Sequence, residues 1–255
     1  FFGTDGWRAL LDSQINEESV AVVAQAFSDF INTGNVGDCR RVALSYDTRR
    51  NSRLFAGIFA EVLSGNGIEA LLSDKVTPTP VLSFTTMHEK CAAGVMITAS
   101  HNPPVYNGIK FKSSLGGPFS LEQTREVEKY LGVSAVVRST EHVSQVDMMP
   151  AYIGQIERLI DFDSIRRSGI SVLVDSMGGA GLELTQSLLR KHGCKADTIF
   201  GEASETFHGR LAEPIEKNLG PLMETLRKGG YSLGVATDGD ADRLGVCLDT
   251  GEWLS

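Results

Sequence analysis

Ala92-Ala93-Gly94-Val95-Met96-Ile97-Thr98-Ala99-Ser100-His101-Asn102-Pro103-Pro104 is the stretch on which the reading of this chain turns. Residues 92–98 form a short apolar run that reads as a strand, and Pro103 and Pro104 stiffen the chain just behind it. A polar loop at the end of such a strand sits at the carboxyl edge of a sheet, where open α/β folds place their ligands. Working outward, Arg41–Tyr46 reads as a strand and 51–65 as a helix, with Leu54, Ile58 and Val62 on one face and Gly65 or Gly67 to stop it. A strand at 68–72 follows, then a rigid Val76-Thr77-Pro78-Thr79-Pro80 turn into a short helix. Beyond the quoted stretch come a short strand at 108–112 and a helix at 121–131.

Residues 132–147 are polar and unpatterned and read as a linker. A helix at 149–160 opens a second block, with strands at 171–175, 195–200, 233–237 and 244–248 and helices near 181–192 and 218–229. The alternation predicts two successive α/β domains, 1–147 and 148–255, each a mixed sheet flanked by helices in three layers.

Composition sets the bounds. The 255 residues are 42% apolar and 22% charged, as expected of a globular protein with ample core. A net charge of −8 argues against a nucleic-acid partner, and no apolar run approaches a membrane span. Cys39, Cys91, Cys194 and Cys247 are too dispersed for a zinc pattern and too few for a disulfide scaffold, so reduced thiols and a cytoplasmic location are expected. The start at Phe1-Phe2-Gly3-Thr4 and the end at Leu254-Ser255 give the expectation of a chain trimmed at both ends.

Four motifs carry the chemistry. Ser100 stands on its proline-stiffened loop with His101, Asn102 and Lys110 nearby in sequence, and an ordinary serine needs such help to act as a nucleophile. From spacing alone, a functional loop and a plain stiffened turn are both open. Asp238-Gly239-Asp240-Ala241-Asp242-Arg243 follows an apolar strand. If the backbone stays extended, carboxylates at every second position point the same way, and such hard oxygen ligands suit Mg²⁺ or Ca²⁺. An EF-hand is excluded because Arg243 stands where that loop needs glycine and strands flank it.

Gly3-Thr4-Asp5-Gly6-Trp7-Arg8 is a glycine-bounded turn delivering one arginine. Asp175-Ser176-Met177-Gly178-Gly179-Ala180-Gly181 lacks the features of a dinucleotide fingerprint and reads as close strand–helix packing. Charge links the pieces. A phosphoserine and three aspartates bring about −5, a divalent cation returns about +2, and Arg8, Lys110 and Arg243 supply the rest.

Taken together, Phe2–Arg8, Thr98–Lys110 and Asp238–Arg243 resemble three signature segments of the α-D-phosphohexomutase superfamily, in the family's order. The resemblance covers essentially the whole chain, and it implies the following. Ser100 is the phosphoserine, and Asp238, Asp240 and Asp242 hold Mg²⁺ together with a phosphoryl oxygen on Ser100. Arg8, Lys110 and Arg243 neutralise the moving phosphoryl group, with His101 and Lys110 as the candidates for proton transfer. The reaction is a reversible interconversion of hexose 1-phosphate and 6-phosphate by an intramolecular phosphotransferase, through a sugar 1,6-bisphosphate. Ala241 leans towards the glucose and mannose groups, because phosphoglucosamine mutases more often carry glycine there. Of the family's four domains the chain matches the first two, so a truncated, inactive fragment is one expectation. A metal-dependent sugar-phosphate phosphatase and a non-catalytic phosphosugar-binding protein are the alternatives. Oligomeric state is not legible.

Overall fold

The computed structural model describes residues 3, 6–34 and 39–254. Phe2, Thr4 and Asp5 of the Phe2–Arg8 segment lie outside the described residues. The chain forms two compact units: residues up to Ala99 with Val105–Met149, and Pro150–Ser255 with the loop Ser100–Pro104. The loop quoted first is thus grouped with the second unit, although the strand that leads into it belongs to the first.

The first unit runs β1 (Trp7–Leu10), α1 (Glu17–Asn32), β2 (Arg41–Tyr46), α2 (Ser52–Gly65), β3 (Glu69–Ser73), α3 (Thr79–His88), β4 (Ala93–Ile97), β5 (Tyr106–Ser113), α4 (Leu121–Glu128) and β6 (Val143–Val146). The sheet order is β1-β5-β4-β2-β3-β6. β4, β2, β3 and β6 pair in parallel, while β5 pairs antiparallel with both β4 and β1. Side-chain alternation divides the two faces. Val42, Leu44, Val95 and Ile97 join the core built by α1 and α2, where Phe27 stacks on Phe111 at 4.6 Å and meets the edge of Phe59 at 5.6 Å. On the other face Gly94 lets α3 approach closely, because a Cβ there would collide with the Thr86 hydroxyl.

Three elements of this unit differ from the sequence reading. β1 pairs with β5 in register, Trp7 opposite Ile109 and Arg8 opposite Gly108. α1 opens on a capping box in which the Ser19 amide donates to Asn16 Oδ1 (3.0 Å) and the Asn16 amide to Ser19 Oγ (2.9 Å). The segment 132–147 is not a linker. It lies against α2, where the Ser139 amide donates to the Glu61 carbonyl (2.9 Å) and the His142 amide to Ser64 Oγ (2.9 Å). It then adds β6 as the sheet's edge strand, paired through Ala70↔Val143 and Leu72↔Gln145.

The second unit contains α5 (Met149–Leu159), α6 (Phe162–Ser168), β7 (Ser171–Asp175), α7 (Leu184–Lys191), β8 (Lys195–Ile199), α8 (Gly220–Arg227), β9 (Leu233–Thr237), β10 (Leu244–Leu248) and β11 (Trp253–Leu254). Its sheet has the order β11-β10-β9-β7-β8, with β7 parallel to β8 and β9, and β10 antiparallel to β9 and β11. Leu173, Ala236 and Cys247 face Leu219, Leu222 and Leu226 around α8, while Val172, Val174 and Ala196 face the opposite layer with Leu189. Both sheets are mixed and flanked by helices, as the alternation predicted. The four cysteines are free thiols, three of them buried. Among the described residues no helix is long and apolar enough to cross a membrane.

Candidate functional site

The site of the second unit starts from a buried aspartate at the end of β9. Asp238 has no exposed surface, and neither has Asp240 or Ser100. The expected extended backbone is absent, and the reason the carboxylates converge is a turn. The Ala241 amide closes onto the Asp238 carbonyl (3.1 Å), and Ala241 takes a left-handed φ of 58°. Asp238 Oδ1 then accepts the backbone amides of Asp242 (3.0 Å) and Arg243 (3.1 Å). Folded in this way, Asp238, Asp240 and Asp242 each offer a carboxylate oxygen within 4.8 Å of the others. Asp242 is the exposed member of the triad, and the Arg243 side chain is exposed beside it.

Ser100 meets this cluster directly. Its Oγ donates to Asp238 Oδ2 at 2.8 Å. Ser100 holds a φ of 53°, in the left-handed region that non-glycine residues rarely occupy. Such strain costs roughly 1–3 kcal/mol and persists only where the surroundings fix it. Gly239 makes the approach possible, because a Cβ there would collide with the Ser100 carbonyl oxygen and come within 3.3 Å of the Phe207 ring. His101 and Asn102 are half-buried in the same loop.

The glycine turn after β7 backs the acidic loop. The Ala180 amide donates to the Gly239 carbonyl (2.9 Å), and a Cβ on Gly179 would stand 2.8 Å from that oxygen and 2.9 Å from the Asp238 carbonyl. The turn is held from behind by Asp175, whose Oδ1 accepts the Met177 amide (2.8 Å). Arg210 clasps Asp175 with two bonds of 2.8 and 3.0 Å, and its guanidinium lies 4.2 Å above the Phe200 ring. Nothing local in the sequence gives Arg210 a task. Its partner stands 35 positions earlier, beyond the reach of any local pattern.

Burial raises the Asp238 carboxyl, and Asp240 and Asp242 raise it further, against the bond from Ser100, to about 8. Three carboxylates gathered without a cation repel one another, and a hard divalent ion is what this donor set fits.

In the first unit, Arg8 lies on β1 opposite Gly108, and Lys110 lies two residues further along β5, on the same sheet face and diagonal to Arg8. Lys110 is 1% exposed. A Cβ at Gly6 would collide with the Ile109 carbonyl, which shows how closely β1 is laid along β5 beside Lys110.

Residues 1–133 match the family described as phosphoglucomutase/phosphomannomutase, alpha/beta/alpha domain I, and residues 150–251 match its alpha/beta/alpha domain II. The fold and these matches define the class: the chain belongs to the phosphoglucomutase/phosphomannomutase family of α-D-phosphohexomutases. It is similar to a probable phosphoglucosamine mutase of Methanosphaera stadtmanae, 35% identical over 100% of this chain and 56% of that relative. A phosphoglucomutase/phosphomannomutase of Thermococcus kodakarensis is 30% identical over 99% of this chain and 56% of its own length. In structure, a candidate phosphomannomutase of Thermus thermophilus superposes with a TM-score of 0.92 at 33% identity, covering 99% of this chain and 58% of that one. The chain therefore spans little more than half the length of the relatives it matches.

Proposed function

We propose that this chain carries the phosphoryl-transfer half of a phosphosugar mutase that interconverts hexose 1-phosphate and hexose 6-phosphate. The observation that carries the reading is the bond from Ser100 Oγ to Asp238 within the buried aspartate cluster. A phosphoryl group carried on this hydroxyl would stand at the edge of the cluster, where a bound cation could offset its charge. Ser100 is the phosphoryl carrier, and Asp238, Asp240 and Asp242 are the Mg²⁺ ligands. The three would hold the ion through one carboxylate oxygen each, gathered within 4.8 Å of one another. When bound, Mg²⁺ supplies positive charge to the phosphoryl oxygens of Ser100.

The residues divide the remaining work. The bond between the Ser100 oxygen and phosphorus breaks as one forms to the sugar hydroxyl, whose proton passes to Lys110 or His101. The bisphosphorylated sugar then returns its other phosphate to Ser100. Arg8 and Arg243 balance charge on the group in transit, and Asp242, the exposed ligand, leaves its edge of the cluster open to it. Ala241 favours glucose or mannose phosphates, whereas the phosphoglucosamine mutases among the relatives favour the amino sugar. We take residues 1–147 and 148–255 as the two functional domains, and the four free thiols favour the cytoplasm as the place of action.

The test is conversion of glucose, mannose and glucosamine 1-phosphates in the presence of Mg²⁺ and a catalytic amount of the matching 1,6-bisphosphate. Isomerisation that depends on the bisphosphate is expected from the native protein. Steady release of inorganic phosphate without isomerisation would replace the mutase with a phosphatase, and binding without turnover would leave a phosphosugar-binding protein.

A further inference from the structure

The loop that carries Ser100 leaves β4 through Thr98 and returns at Tyr106, the first residue of β5. Both of these ends are tied to one buried ion pair. Asp47, directly after β2, is 1% exposed, and the side chains of Asp47 and Arg49 are both fully enclosed. The Asp47 carboxylate is saturated. Oδ2 accepts Thr98 Oγ1 (2.6 Å) and Arg49 Nε (3.1 Å), and Oδ1 accepts Ser52 Oγ (2.7 Å) and the Arg49 amide (3.0 Å). Arg49 in turn donates from Nη1 to the Tyr106 carbonyl (3.0 Å).

One carboxylate therefore grips the outgoing end of the loop, and its paired guanidinium grips the returning end. Neighbouring bonds lock the same frame. The Asp47 amide donates to the Ile97 carbonyl (3.1 Å), and the Thr98 amide donates to the Gly108 carbonyl (2.9 Å). Asn107 Nδ2 donates to the Arg50 carbonyl (3.0 Å) and to Ser52 Oγ (2.9 Å).

Stability alone does not explain this pair. Two buried charges are costly to desolvate, and well-packed apolar residues of the same volume would often do as well or better. What an ion pair provides and an apolar pair cannot is direction: a hydrogen bond fixed in length and angle to Thr98 and another to Tyr106. A loop holding Ser100 at a φ of 53° needs that constraint, since the strained conformer survives only where its surroundings leave it no alternative.

We propose that Asp47 and Arg49 are positioning residues that clamp both ends of the loop 99–105, so that Ser100 is presented to its reaction partners in one conformation. The consequence for transfer rests on the reading of Ser100 as the phosphoryl carrier; the clamp itself does not. Thr98 acts as the lever on one side and the Tyr106 carbonyl as the lever on the other.

The experiment is hydrogen exchange by mass spectrometry on the native protein, Thr98→Val and Arg49→Lys. Thr98→Val removes one hydroxyl at constant shape. Arg49→Lys keeps the charge and loses the fork that reaches Asp47 and Tyr106 together. A hydrogen bond to a charged group is worth enough that losing it speeds local opening by about tenfold or more. Exchange in the 99–105 peptide is expected to rise by that factor in both variants, while peptides from β2 and β4 keep their protection. Phosphate transfer from glucose 1,6-bisphosphate to Ser100 should slow in step, with Mn²⁺ affinity unchanged.

Unchanged loop exchange would overturn the clamp. So would an equal rise across β2 and β4, since that would mark a merely structural pair. If Arg49→Lys does not fold, Thr98→Val alone decides. If the native protein takes up no phosphate at all, the phosphoserine reading falls, and the exchange data still judge the clamp.

Discussion

Replacing Arg210 with methionine tests how the acidic loop is supported. Asp175 is fully buried and the Arg210 side chain is 15% exposed, so the pair is largely shielded from water. Through its two bonds of 2.8 and 3.0 Å, the guanidinium sets a positive charge directly against the Asp175 carboxylate. Arg210→Met preserves an apolar contact with Phe200 but abandons a buried carboxylate, and breaking such a pair costs about 3–5 kcal/mol. The Met177 amide still serves Asp175 Oδ1, so the loss should fall at the low end, about 3 kcal/mol. That is a large part of the roughly 5–15 kcal/mol typical of a folded domain. Urea denaturation of the native protein, Arg210→Met, Asp175→Asn and the double variant would give the full cycle. The double variant removes the stranded charge as well, and is expected to recover about 2 kcal/mol of the additive sum. A single variant that loses less than about 1 kcal/mol, or a cycle that is simply additive, would mean that the Arg210–Asp175 pair does not hold the turn.

Other outcomes follow from the same geometry. Because Asp238 is held protonated up to about pH 8 in the metal-free protein, against an ordinary value near 4, the folded state binds a proton that the unfolded state has released. Its contribution to metal-free stability is therefore present at low pH and lost as pH rises through about 8, and Asp238→Asn should flatten that slope in denaturation curves. Cation affinity runs the opposite way, rising towards pH 8 with a proton released on binding, which calorimetry in buffers of different ionisation enthalpy would detect. Gly179→Ala forces a methyl against the carbonyls of Asp238 and Gly239 at 2.8–2.9 Å, and at an overpacking strain of about 1–3 kcal/mol Mn²⁺ binding should weaken by at least about fivefold. Lys110→Ala should slow phosphoryl transfer far more than it weakens cation binding; equal losses in both would assign the lysine a structural task.

The strands and helices between residues 41 and 128 are plain in the sequence because each is a short apolar run or a one-sided helix bounded by glycine, proline or polar residues. What is obscure has a physical cause in each case. In α1 the run Val20-Ala21-Val22-Val23-Ala24 is apolar almost all round, which hides the helical period, and Gln25 and Ser28 are buried within it. β1 is four residues long and exists because β5 pairs with it. β6 reads Val-Ser-Gln-Val and is half exposed; only its ladder with β3 makes it a strand, and that partner lies some 70 positions away.

The candidate site divides in the same way. Spacing groups the three aspartates, yet it gives the wrong route to their convergence, which comes from a turn at Ala241 and two amides bound by Asp238. The Ser100 loop stands out by its prolines. Asp47, Arg49 and Arg210 do not stand out, because each meets its decisive partner 51, 57 or 35 positions away along the chain.

The central claim is that Ser100 carries the transferable phosphoryl group. Phosphopeptide mapping by mass spectrometry, on the protein as purified and after incubation with Mg²⁺ and glucose 1,6-bisphosphate, addresses it directly. Phosphate is expected on the peptide containing Ser100 and none in Ser100→Ala. A folded, metal-loaded protein that carries no phosphate on that peptide under either condition would contradict it.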